Sequence, residues 1–247
     1  MKNQNHLQIW RLAGPLILSN ISIALLGIVD TAVVGHLSHP YYLGAVAIAA
    51  VIFDFLYWGM GFLRMGTTGI VAQVHGKKDY DELRSTLIHS IFIGLSIALA
   101  MLILQNPIAS ISFFLIGGSE QVTFHARIYF YWAIWGAPAV LCSMAMFGWL
   151  LGLQNARATL YFAITVNLIN IVLDLVFVFG LDMGVKGVAL ASVIAQYSGL
   201  IMAIFLVRKE LQKYSGHWRS EFILDFARLK DRKSTRLNSS HVRISYA

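Results

Sequence analysis

Two aspartates, Asp30 and Asp174, sit inside long apolar runs with no basic residue at matching depth. An ionised side chain in bilayer hydrocarbon costs several kcal/mol, so such a residue is a functional candidate by default. Around the second aspartate, Asn167, Asn170 and Asp174 are spaced i, i+3 and i+7, which confines them to about 60° of helix circumference. Leu168, Ile169, Ile171, Val172, Leu173 and Leu175 occupy the rest. A narrow polar stripe on a greasy helix has to face protein or water, because lipid leaves its groups unsatisfied. Carboxylate and amide oxygens suit a hard cation such as Na+, and the same carboxyls can carry a proton. The competing role is to hydrogen-bond helices together; for the asparagines alone both roles stay open.

Asp54 and Arg64 are two further intramembrane charges of uncertain role. Ten residues apart on one straight helix, they are separated by about 15 Å of rise and 280° of rotation and cannot pair. Arg64 opens the polar stretch Arg64-Met65-Gly66-Thr67-Thr68-Gly69 and is expected to snorkel or to touch carbonyls. Pro15 lies fifteen residues before Asp30, either as a hinge or as a helix start. Aromatics such as Trp10, Tyr57, Trp58, Trp132 and Trp149 read as interfacial belt or core. The eight histidines lack metal-ligand spacing, and the single cysteine, Cys142, excludes an internal disulfide or a cysteine-based metal site.

These residues need helices to carry them. Of the 247 residues 57% are hydrophobic and 13% charged, and mean hydropathy is +0.67. A soluble domain carries about 25% charged residues, so the composition indicates an all-α integral membrane protein. A membrane helix needs about 20 apolar residues. Six segments qualify, at 12–35, 43–73, 86–105 (with a possible continuation to 116), 122–151, 158–181 and 187–207. The first is expected to stay in the mature chain, since no small-residue cleavage site follows it.

Short loops on one side hold Lys77, Lys78, Arg84, Arg157, Arg208 and Lys209, which places both ends of the six-helix unit in the cytoplasm. The formal charge of +7 is not evidence for a nucleic-acid partner. Residues 1–207 carry nine Lys/Arg against eight Asp/Glu, whereas 208–247 carry ten against four.

The stretch Leu26-Gly27-Ile28-Val29-Asp30-Thr31-Ala32-Val33-Val34-Gly35-His36-Leu37 is similar to the MATE (multidrug and toxic compound extrusion) transporters, and within them to the DinF-like branch. So are Phe62-Leu63-Arg64-Met65-Gly66-Thr67-Thr68-Gly69, Gly136-Ala137-Pro138 and Gly148-Trp149-Leu150-Leu151-Gly152-Leu153-Gln154. Asn167-Leu168-Ile169-Asn170-Ile171-Val172-Leu173-Asp174 and Gly187-Val188-Ala189-Leu190-Ala191-Ser192 complete a resemblance covering roughly 8–230.

The resemblance implies one six-helix lobe, the amino-terminal one, of a twelve-helix fold that alternates access to a central cavity. It implies an antiporter rather than an enzyme, coupled to H+ or Na+ without other cofactors and exporting amphipathic organic cations across a bacterial inner membrane. On the matching positions, Asp30, Asn170 and Asp174 form the proton or cation site, Tyr129 and Ser192 support it, and Pro15 is the bend of the first helix. The expected partners are lipid, a small amphipathic substrate and a carboxy-terminal lobe.

Three other readings compete. A lipid-linked sugar flippase of the same superfamily calls for several basic residues to meet pyrophosphate, and the spans hold only Arg64 and, just inside the fourth, Arg127. An intramembrane aspartyl protease calls for Tyr-Asp and Gly-x-Gly-Asp, where this chain has Val29-Asp30 and Leu173-Asp174. An inactive fragment is the third, because a lone lobe exposes a surface its partner buries. Residues 211–231 read as a polar interlobe connector, and 232–247, without a span or helical periodicity, as a non-native tail.

Overall fold

Apolar runs and the turns between them become nine α-helices among the residues described by this computed structural model. It describes the backbone of 2–37 and 39–216, and side chains over the same residues except 2–12, 16 and 23–26. The helices are α1 (Lys2–Gly35), α2 (Pro40–Gly59), α3 (Gly61–Gly76), α4 (Tyr80–Ile103) and α5 (Gln105–Ile116). They continue with α6 (Glu120–Ala133), α7 (Ala137–Gly152), α8 (Arg157–Asp174) and α9 (Gly184–Leu211).

Local chemistry sets the boundaries. Pro40 occupies the first turn of α2, where its missing N–H costs nothing. Asp79 caps α4 by accepting the Glu82 N–H at 3.0 Å. The turns before α4, α8 and α9 each place one residue at positive φ: Lys78 (58°), Gln154 (61°) and Asp182 (51°).

Six helical stretches are long and apolar enough to cross a membrane: Ala13–Gly35, Pro40–Gly76, Tyr80–Ile103, Glu120–Gly152, Arg157–Gly180 and Gly184–Leu211. The chain is thus an all-α, multi-pass membrane protein. Two of the stretches are broken. The second is interrupted at Met60, between α2 and α3, so Asp54 and Arg64 stand on successive helices, with no ion pair between them among the described residues. The fourth passes through a 3-10 turn at Ile134–Gly136 before α7. The third ends at Ile103, and α5 follows as a separate helix of 12 residues. Pro15 lies inside α1 rather than at its start. Of the connector at 211–231 the structure describes 211–216, and the segment 232–247 lies outside the described residues.

Helix α7 is the hub, packing on α3, α4 and α9, while α8 packs between α1 and α9. Close approach of α3 and α7 depends on small residues. A Cβ at Gly148 would stand 2.6 Å from the Arg64 carbonyl, and one at Gly152 would stand 2.6 Å from Val71 Cβ. Gly148 and Gly152 are the small-xxx-small spacing that lets membrane helices touch backbone to backbone. Thr68 Oγ1 then donates across the seam to the Gly148 carbonyl at 3.0 Å. Helix α9 packs on α7, and α8, packed in turn on α9, carries the buried Asn167, Asn170 and Asp174.

Candidate functional site: a paired carboxyl centre

Asp30 approaches from α1 and Asp174 from the last position of α8, and their carboxyl groups meet side chain to side chain. Asp174 is fully buried and Asp30 half-buried. No other group among the described residues donates a hydrogen bond to Asp30 Oδ1 or to either Asp174 oxygen. No lysine, arginine or histidine is paired with them there either. Two carboxyls in contact away from water need a positive partner, either a proton held between them or a cation coordinated by both.

Around the pair stand neutral oxygen-bearing groups. Tyr129, from α6, hydrogen-bonds to Ser192 of α9 and lies within electrostatic reach of both carboxyls. Asn170 Nδ2 donates to Ser192 Oγ at 3.4 Å. A cluster of Val33, Val34, Val178 and Val188 seals one side. Asp30, Asp174, Asn170, Tyr129 and Ser192 therefore form one centre assembled from four helices. Asn167 belongs to a different contact: two turns along α8, it donates to Ser22 Oγ at 2.7 Å and ties α8 to α1.

Two parts of the centre escaped the sequence reading. The α-helical pitch stops at Asp174 and a π-helical turn runs over Leu175–Gly180. Such turns insert a residue into the hydrogen-bond ladder and recur at functional sites; here the turn follows the acid directly. Its fully apolar sequence carries no signal for it. Tyr57, counted among belt and core aromatics, has a buried hydroxyl with no partner among the described residues and stands within electrostatic reach of Tyr129.

Asp54 and Arg64 are both exposed and line an open cleft of about 860 Å³ walled by Phe55, Trp58, Phe62 and Met65. They are not part of the carboxyl centre. Pro15 lies in α1 fifteen residues before Asp30, about four turns away.

Residues 15–176 match the MatE family model. The chain belongs to the MatE family. It is 43% identical over 221 residues to the DNA damage-inducible protein F of Escherichia coli, covering 87% of this chain and 48% of that protein. To the probable multidrug resistance protein NorM of Bacillus subtilis it is 24% identical over 203 residues, covering 79% and 44%. The solved structure of the eukaryotic MATE transporter AtDTX14 superposes with a TM-score of 0.77 at 20% identity, over 89% of this chain and 49% of that one.

The DinF-like assignment and the all-α membrane fold thus hold. This MatE chain spans about half the length of these relatives and makes a six-helix bundle where MATE structures are twelve-helix bundles.

Proposed function

We propose that this chain is the amino-terminal half of an ion-coupled antiporter, neither an enzyme nor a channel, that exports amphipathic organic compounds, chiefly cations, by alternating access. The observation that carries the reading is the contact of Asp30 with Asp174 in the absence of a basic partner among the described residues. Such a pair takes up one H+ or Na+ and loses it when its surroundings change. The π-helical turn after Asp174 and the proline in α1 give both carrying helices room to shift as the ion enters or leaves. Asn170, Ser192 and Tyr129 supply the neutral oxygens that complete the shell.

In this reading the lobe lies in a bacterial inner membrane with the Lys77–Lys78, Arg157 and Arg208–Lys209 ends in the cytoplasm. The exposed face around Asp54, Trp58, Phe62 and Arg64 meets a second lobe across the substrate path. Drug-resistance names among the relatives support export over import.

The test is efflux of a fluorescent organic cation by native-length protein in vesicles, with imposed H+ or Na+ gradients. Asp30→Asn and Asp174→Asn are expected to abolish the response to the gradient. Undiminished gradient-driven efflux in either variant overturns the assignment.

A further inference from the structure

A largely apolar chamber with a few polar side chains in its wall lies between α1, α3, α7, α8 and α9, with a volume of about 320 Å³. Three oxygens in its wall are buried and have no hydrogen-bond partner among the described residues: Ser143 Oγ of α7, Thr159 Oγ1 of α8 and Gln196 Oε1 of α9. Ser19 and Asn167 add polar groups, and the remainder of the wall is apolar. Buried polar groups in native proteins are nearly always satisfied, and where protein does not reach them, ordered water does. At ~30 Å³ per molecule the chamber has room for about ten waters.

The Gln196 amide is held in place because it packs against Gly136, where no side chain would fit. The one charged residue in the lining is Arg64, and no carboxylate faces the chamber. With no carboxylate in the lining, a resident Na+ has nothing there to hold it, and the unpaired neutral oxygens select water.

Polar side chains on α8 and α9 lead from the chamber towards the centre. On α8, Thr159, Asn167, Asn170 and Asp174 fall on one stripe, with Ala163 filling its gap, and on α9 Ser192 and Gln196 are one turn apart. Asn170 and Ser192 are bonded to each other at 3.4 Å, midway along this file. Thr159 stands two residues from the start of α8, beside the turn at 153–156.

We propose that this chamber is a water-filled conduit through which the Asp30–Asp174 pair exchanges its proton with the cytoplasmic side. The proton leaves the carboxyl pair, passes through waters held by Ser192, Asn167, Gln196, Ser143 and Thr159, and enters bulk water. This rests on the antiporter reading and narrows it, since the route serves H+ rather than Na+.

The test uses the native-length protein with Cys142→Ala and its other cysteines removed, in inside-out vesicles. Ser143→Cys and Thr159→Cys are exposed to a hydrophilic, membrane-impermeant methanethiosulfonate, beside Ala145→Cys in the dry core as control. Labelling at 143 and 159 but not at 145 is expected; absence of labelling at both overturns the chamber.

In a second measurement, Thr159→Val and Gln196→Leu are expected to slow substrate-triggered proton release about tenfold, as for the loss of one hydrogen bond in a relay. Substrate affinity is expected to stay unchanged, and Thr159→Ser to restore the rate. Wild-type release rates in folded valine and leucine variants overturn the route. If wild-type transport ignores both proton and sodium gradients, the antiporter reading fails with the route; a response to sodium alone overturns the route, and transport without labelling defeats the chamber.

Discussion

Asn167 Nδ2 lies 2.7 Å from Ser22 Oγ, a hydrogen bond that fastens α8 to α1 two turns below the carboxyl pair. Its two helices are also those that carry Asp174 and Asp30. Asn167→Leu leaves Ser22 without its partner and is expected to cost about 1–3 kcal/mol. Thermal unfolding in detergent reads the loss. Because Asn167 does not contact the acids, ion-dependent stabilisation of the variant should persist at reduced midpoint.

In the proposed function the two carboxyls share one ion, so their substitutions should not add. Asp30→Asn and Asp174→Asn each remove the pair, and the double variant is expected to lose no more coupled transport than either alone. Side chains in one network give strongly non-additive effects. Equal and independent losses in a double-mutant cycle would show that the acids serve separate ions.

Contact between α3 and α7 depends on Gly148, whose missing Cβ makes way for the Arg64 carbonyl. The Arg64 carbonyl and Cα are backbone and Thr67 Cβ is fixed to the backbone, so none of them gives by rotating a side chain. Gly148→Ala is expected to destabilise the lobe by about 1–3 kcal/mol, as overpacking of a close-packed interface does. Trp149 offers a milder probe on the same helix. Its Nε1 donates to the Leu83 carbonyl at 2.9 Å in a fully buried position, so Trp149→Phe opens a void and removes the inter-helix bond to that carbonyl. Yield of monodisperse protein and its melting temperature rank the two variants against wild type.

At the far end of α9, Arg84 Nη2 donates to the carbonyls of Leu211 (3.3 Å) and Tyr214 (2.9 Å). Arg84→Ala is expected to speed hydrogen exchange of the amides at 211–216, while those of α7 keep their protection. Burial, reinforced by the nearby Glu210 charge, holds the Tyr214 hydroxyl above its ordinary value of 10.0. The folded state therefore binds that proton more tightly than the unfolded chain. Its contribution is complete below the ordinary tyrosine range and is lost as pH rises through the folded value. Ultraviolet titration should show Glu210→Gln moving this transition downward.

Much of the centre was legible because burying a charge in a membrane is so costly. That cost singles out Asp30 and Asp174, and the i, i+3, i+7 spacing places Asn170 beside Asp174 without coordinates. The same spacing also groups Asn167 with them, yet in the folded lobe Asn167 turns to Ser22. A helical stripe fixes the face of a helix, and the neighbouring helix decides what each residue on that face touches. Thr159 extends the stripe toward the start of α8 and was available to the same reasoning; Tyr57 and the π-helical turn were not, because nothing in an apolar run marks a change of pitch.

Sequence alone determined that this chain crosses a membrane six times, since hydropathy and segment length are properties of the residues themselves. It also determined which residues are too polar to face lipid. Tertiary structure decided that Asp30 and Asp174 touch, that the second span breaks at Met60, and that Ser143, Thr159 and Gln196 from three helices converge on one chamber. Those facts depend on how helices far apart in the chain pack, and close packing at positions such as Gly148, rather than any local preference, sets that arrangement.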